Sequence, residues 1–299
     1  MPFVAHPALV PLEKRLIPKQ RAVFGAAARV EGEIAKHVKK ALLSLRDRVP
    51  IGELAKMLDT ATVEDVWRKT NGGGIEAIAS GLSEELNKGL VSGGRLAAKE
   101  MGKIVVLDPM RPAVRKWVDD HLLELAKQLS DTSRAAISNT LRDGITRGRH
   151  PGQIAKDIRR SLGLTERQGT AVSRYWGQLQ KEGVPYAKIE QRAQKYSERL
   201  ISQRARTIAR TESISAVSQG RAQLWQQLKD EDAFPEGYVQ EWLTAGDDRV
   251  SEEICAPMQG QQRPIGEPFT TGDGQKIDAP PSHPNCRCTV VLVQEGRKR

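Results

Sequence analysis

A mainly α protein with a small α+β loop-and-strand domain at its C-terminal end is what this sequence predicts, on three observations. Aromatic residues make up 4% of the 299 residues and hydrophobic ones 38%. A core must therefore be built from Leu, Ile, Val and Ala, which favours helices over sheets rich in aromatic and β-branched residues. Apolar residues recur at helical spacing up to about residue 230, where Pro and Gly become frequent and two strand-like runs replace the helices. The length allows about two domains at roughly 150 residues each. By character the chain divides into a helical N-terminal region (1–130), a basic helical module (131–230) and a small strand-and-loop domain carrying a Cys/His cluster (231–299).

The elements follow in order. Val30, Ile34, Val38, Leu42 and Leu45 share one face of a helix over residues 29–45. Asn71-Gly72-Gly73-Gly74 reads as a loop, and Ile104-Val105-Val106-Leu107 as one short strand ended by Asp108-Pro109. Pro112 opens a helix with Val114, Trp117, Val118, Leu122 and Leu125 on one side. Asp131 or Thr132 is placed to cap a helix running to about Arg147, broken by Gly148-Arg149-His150-Pro151. Pro151 suits the first turn of the next helix, with Ile154, Ile158 and Leu162 inward and Gly163 past its end. Thr165 with Glu166 starts a third helix, Gly183 stops it and Pro185 begins a fourth. A long helix then covers about 198–228, with Ile201, Ala205, Ile208, Ile214 and Val217 inward. Tyr238–Leu243 alternates like a half-buried strand, and Thr289–Val293 is a second strand.

The charge is uneven. The net charge is +10, which calls for an acidic partner: nucleic acid, an anionic surface or an acidic protein. Residues 142–174 hold eight Lys/Arg against three acids, and residues 192–229 eight against two. Two basic helical stretches can follow a phosphate backbone. The candidate contacts are Arg142, Arg147, Arg149, Lys156, Arg159, Arg160, Arg204 and Arg206. No aromatic interleaving calls for base stacking, so binding to double-stranded DNA would be non-specific. From 241 to 288 the acids outnumber the bases, eight to four.

Several classes are not indicated. No run approaches the ~20 apolar residues that span a bilayer. The start, Met1-Pro2-Phe3-Val4, lacks a basic and then apolar leader, so synthesis in the cytoplasm is expected. There is no Gly-rich phosphate loop, no HExxH and no Ser elbow.

The three cysteines, Cys255, Cys286 and Cys288, lie at one end, with His283 beside them. Three thiols and an imidazole are the donor set of a closed structural zinc site. The spacing Cys286-x-Cys288 is tighter than usual, although an extended strand turns both side chains to one side. A Cys255–Cys286 disulfide or plain buried thiols are the other states these residues admit. His283 and Cys286 also have the residue types of a nucleophile and its base, but no orienting group or oxyanion motif accompanies them. We assign no catalytic residue.

The end of the chain reads Pro280-Pro281-Ser282-His283-Pro284-Asn285-Cys286-Arg287-Cys288. Upstream come Ala209-Arg210-Thr211-Glu212, Asp247-Asp248-Arg249, Cys255 and Gly260. In this order they resemble the phage Mu protein F-like, or head-morphogenesis, family of minor capsid proteins of tailed bacteriophages. The stretch Gly152–Arg159 with Leu162-Gly163-Leu164 is similar to that family's helical lead-in. The resemblance covers about residues 140–293 and leaves 1–130 as a divergent region. It implies a minor head protein of the virion, made in the host cytoplasm and resident in the head interior or portal region. Its partners would be the portal, capsid or scaffold proteins and packaged DNA. Arg210, Glu212, Asp247 and Arg249 would form a structural ion-pair network clamping the long helix to the C-terminal domain. A hydrolase or toxin-like enzyme using the Cys/His domain, and a free nucleic-acid-binding module, are the alternatives.

Overall fold

Helix starts and stops in this chain are written in local chemistry. A computed structural model describes residues 17–58, 60–246 and 250–296. Its helices are α1 (Pro18–Asp47), α2 (Ile51–Met57), α3 (Val63–Asn71), α4 (Gly74–Gly81), α5 (Ser83–Glu100), α6 (Pro112–Thr146), α7 (Pro151–Ser161), α8 (Glu166–Lys181) and α9 (Tyr186–Asp230). The strands are β1 (Tyr238–Leu243), β2 (Gln262–Arg263), β3 (Phe269–Thr270), β4 (Lys276–Ile277) and β5 (Thr289–Gln294). The fold is thus mainly α with a small antiparallel C-terminal part, as the composition predicts.

The chain forms two compact units that interleave along the sequence. Glu33–Glu84 and Lys116–Ala209 make an all-helical unit; Met1–Gly32, Glu85–Arg115 and Arg210–Arg299 make the unit that holds the strands. The boundaries fall inside α1, α5, α6 and α9.

In the helical unit, Thr62 and Asp65 form a reciprocal capping box at the start of α3, and Thr165 and Gln168 do so at α8. His150 Nδ1 accepts from the Gly152 amide ahead of α7, and Pro151 occupies the first turn, where no amide is missed. Buried Asn71 ends α3 and caps α4: its side-chain oxygen accepts from the Ile75 amide and its nitrogen donates to Glu76. α2 packs on α7, and α7 on α8. Ile34, Val38, Leu42 and Leu45 of α1 are buried as their spacing requires, as are Ile154, Ile158 and Leu162. Each such side chain contributes about 1.5–3 kcal/mol when fully buried. Gly163 has φ +77°, and a Cβ there would stand 2.9 Å from the Leu42 carbonyl oxygen, so both conformation and space select glycine.

In the strand-bearing unit, Val23, Ala26, Ala27, Ile214 and Val217 form one core cluster, with Phe24 and Leu96 against it. α5 and α9 cross almost backbone to backbone. A Cβ on Gly93 would lie 2.0 Å from the Val217 carbonyl oxygen, and one on Gly220 the same distance from that of Leu90. The sheet has order β2-β1-β5 and is antiparallel throughout, with Tyr238 opposite Gln294 and Leu243 opposite Thr289. Val239, Leu243, Val291 and Val293 pack together with Ile17. Arg221 of α9 is 1% exposed. It donates to the Glu100 carboxylate at 2.7 Å, to the Thr289 hydroxyl at 3.3 Å and to the Val290 carbonyl, and its guanidinium lies over the Trp225 ring. One buried side chain thus ties α5, α9 and β5 together.

Four local expectations are corrected. Residues 103–108 form no strand: Ile104 and Val106 point to solvent and only Leu107 is buried, with no strand beside them among the described residues. α6 runs unbroken from Pro112 to Thr146, because Thr132 satisfies its hydroxyl on the carbonyls of Gln128 and Leu129 and does not cap. The fourth helix and the long helix are one 45-residue helix, α9, with no stop signal between 186 and 230. β1 is buried on both faces, since Val239 and Leu243 pack with Val291, Val293 and Ile17 while Trp242, on the other face, packs against Phe269.

Candidate functional site

The Cys/His turn begins with a conformation the sequence specifies. Cys286 donates its amide to the His283 carbonyl at 3.0 Å, and Asn285 has φ +60°. Pro at the second and Asn at the third position fit a type II turn, which needs a left-handed residue third. The turn brings the His283 ring back toward Cys286. Asn285 donates its amide to the Thr211 hydroxyl of α9 at 3.1 Å, joining the Arg-Thr-Glu helix segment to the terminal turn. Cys255 arrives from the other side, just before a short 3-10 turn at Ala256–Met258.

Three of the four sequence candidates converge there. The ligand atoms of Cys255, His283 and Cys286 lie within 4.8 Å of one another. The Cys255 and Cys286 sulfurs are 3.9 Å apart, and His283 Nε2 is 3.0 Å from Cys255 Sγ. Ser282 Oγ adds a contact of 3.1 Å to Cys255 Sγ. All three cysteines are buried free thiols, so no Cys255–Cys286 disulfide is formed. Cys288, buried at the entrance to β5, hydrogen-bonds the other two thiols but is not in the tight group.

The electrostatics single out one sulfur. Hydrogen bonds from Cys255 and then Cys288 hold the Cys286 thiol far below the ordinary range, against its burial. Cys288 is pushed up, first by Cys255 and then by Cys286, and Cys255 is pushed up chiefly by Cys286. The Cys286 sulfur in turn raises His283. His283 Nδ1 lies 3.0 Å from the Pro284 carbonyl oxygen. A carbonyl can only accept, so Nδ1 carries a proton; in the neutral ring Nε2 then presents its lone pair to the sulfurs, the orientation a metal-binding imidazole needs. Two sulfurs each about 2.3 Å from a tetrahedral zinc lie about 3.8 Å apart, against 3.9 Å here. The donor types and the sulfur–sulfur spacing are compatible with zinc, while Nε2 and the Cys255 sulfur, at 3.0 Å, stand closer than the about 3.5 Å between a nitrogen and a sulfur on one tetrahedral zinc.

Of the four residues expected to form an ion-pair network, Arg210 and Glu212 are described. Arg210 pairs with Glu31 at 3.5 Å, a partner on α1. Glu212 is buried. Asp247 and Arg249 lie outside the described residues.

The eight basic candidates fare differently, and the difference is chemical. Arg160 is buried and pairs with Asp157 and Glu190. Arg149 pairs with Asp157 and Asp143, Arg147 with Asp143, and Arg159 with Asp47. Lys156 donates to the Tyr186 hydroxyl at 2.8 Å, which raises its pKa. Arg204 is buried with its pKa lowered to about 10 by desolvation, and donates to the Gly163 carbonyl and the Thr132 hydroxyl. Six of the eight therefore hold the fold together. Arg142 and Arg206 are exposed, Arg206 donating to the Ser202 carbonyl of its own helix.

The structure also exposes cations that charge counting did not single out. Arg167 and Arg174 on α8 face Arg192, Lys195 and Arg199 on α9 across an open groove of about 1000 Å³. A readable signal existed: four of these five have no acid three or four residues away, the exception being Lys195 with Glu198 at i+3. Glu198 turns instead to Arg46, at 3.1 Å.

The chain is thus a helical protein with an arginine-rich helical unit and a strand-bearing unit that carries a Cys/His turn. The model of the phage Mu protein F-like proteins matches residues 135–291. The chain belongs to this family of phage head-morphogenesis proteins. No curated protein and no solved structure matches it. Among the described residues no helix is long and apolar enough to cross a membrane.

Proposed function

We propose that this chain is a minor head protein of a tailed phage, a structural adaptor that contacts the portal and the packaged DNA during head assembly or DNA passage. The observation that carries the reading is the family match over 135–291, which takes in the basic helices as well as the Cys/His turn. The adaptor sits in the head interior or at the portal. Residues 1–130 hold portal, capsid or scaffold protein, residues 131–230 meet DNA without reading its sequence, and residues 231–299 form a compact end. Zinc held by Cys255, His283 and Cys286, with Cys288 as the fourth donor, staples that end; a small loop-rich region gains most from such a closure.

Burial argues for structure rather than turnover. A nucleophile must be open to substrate, and Cys286, the most acidic thiol, is 1% exposed. Mass spectrometry of purified virions tests the role. Low-copy presence together with the portal is expected; presence in infected cells but not in particles would refute the adaptor and favour a free nucleic-acid-binding module. Elemental analysis tests the staple. About one zinc per chain is expected, lost in Cys286→Ser, and folded wild type with less than about a tenth of an equivalent would overturn it.

A further inference from the structure

The groove between α8 and α9 is built unlike the other arginine clusters of the helical unit. Among the described residues, none of Arg167, Arg174, Arg192, Lys195 and Arg199 has a carboxylate partner within ion-pair distance. The neighbouring arginines at 149, 159 and 160 are all paired. The five cations form two rows. Arg167 and Arg174, and Arg192 and Arg199, are each seven residues apart, about 10.5 Å along a helix at 1.5 Å per residue. Tyr175 and Tyr196 line the groove, edge to face at 5.1 Å, and the Arg199 guanidinium lies 4.9 Å over the Tyr196 ring. Glu166 is the one acid in the lining, and the Gln178 amide is engaged with Glu182.

We propose that this groove is a phosphodiester-backbone site, taking a stretch of double-stranded nucleic acid by charge alone. This rests on the reading that the chain contacts DNA and places that contact on five cations of the two basic stretches that are not among the eight candidate contacts. An acidic protein face is the weaker fit. Protein interfaces centre on a buried apolar or aromatic core, whereas this groove presents cations, and its tyrosines are half-buried against each other. No free side-chain amide is aimed to read bases, so the site should not discriminate sequences.

The test is anisotropy of the full chain with two unrelated ~30-bp duplexes across 50–200 mM salt. Five phosphate contacts give a slope of log K on log salt near −4.5, at about 0.9 per contact. Arg192→Gln with Arg199→Gln should reduce the slope by about 1.8 and weaken binding about sixty-fold at 0.1 M salt. Arg167→Gln with Arg174→Gln should do the same, and both should cost more than Arg142→Gln with Arg206→Gln, which lie outside the groove; Lys40→Gln with Lys127→Gln, exposed and outside the basic stretches, should leave binding unchanged. These side chains are exposed, so the fold is retained, as circular dichroism would verify. Unchanged slopes in both groove variants, with loss in the Arg142/Arg206 variant, would overturn the site but keep DNA contact. Absence of wild-type binding at 50 mM salt would overturn both, and binding only to polyglutamate would reassign the groove to an acidic protein.

Discussion

Replacing Arg221 with Ala removes a buried cation and leaves its partner carboxylate behind. Arg221 is 1% exposed and Glu100 14% by side chain. The substitution deletes the 2.7 Å ion pair, the hydrogen bonds to Thr289 and Val290, and the contact with Trp225. Removing one partner of a buried pair costs about 3–5 kcal/mol, because the remaining charge is stranded. Partial exposure of Glu100 lets water or protonation relieve some of that, so the lower half of the range is expected. At about 2–4 °C per kcal/mol for a domain of 150–250 residues, the melting temperature should fall by about 10 °C. Calorimetry of wild type, Arg221→Met, Glu100→Gln and the double variant would isolate the coupling. The double variant should recover part of the loss, since no charge is then stranded. A drop under 2 °C in Arg221→Ala would refute the clamp.

Other consequences can be measured the same way. Gly220→Ala should cost at least ~2 kcal/mol by urea titration, because its Cβ would meet the Leu90 carbonyl oxygen at 2.0 Å; a change under 0.5 kcal/mol would show that the helices can part. Asn285→Gly should be nearly neutral in melting temperature and Asn285→Ala should cost about 1 kcal/mol, since the site has φ +60°; the reverse order would sink the turn assignment. Glu198 is held below its ordinary pKa, first by the Arg46 hydrogen bond, so its contribution is present above the unfolded value of 4.5 and fades as pH falls through the lower folded value. Glu198→Gln should therefore lose less stability than wild type on acidification below pH 4.5, and parallel acid curves would discount the pair.

What the sequence made legible was local. The helix start at Thr165 and Pro151 at a first turn each act within four residues, and each stands where its chemistry puts it; the capping box at Thr62 and the type II turn at Pro284-Asn285 carry equally local signals that the expectations did not include. The strand expected at residues 104–107 does not form, because a short run of apolar, mostly β-branched residues is not enough without a neighbouring strand to pair. The pairing of the charges was not legible, for a related reason. Arg159 finds Asp47, 112 residues away, and Arg46 finds Glu198, 152 away; counting in a window cannot tell which arginines a distant carboxylate will neutralise. The Cys/His cluster was legible as residue types, but the exclusion of Cys288 from the tight group depends on where the turn places each sulfur. The close crossing of α5 and α9 had a signal in Gly89, Gly93 and Gly220, which helix propensity alone marks as weak points.

The strand-bearing unit is closed by its most distant parts in sequence. Lys19 Nζ donates to the Leu292 carbonyl across 273 residues, and Gln20 to that of Thr244 across 224. Ile17, near the first described residue, packs against β1 and β5. A nascent chain therefore exposes the apolar face of Val23, Ala26 and Ala27 until Ile214 and Val217 have been made, while the segments of the helical unit, ending at Ala209, have already been translated. Such long-range closure is slow. The first turns of α1 are thus an apolar surface that stays open during synthesis and is covered once the last strand is in place.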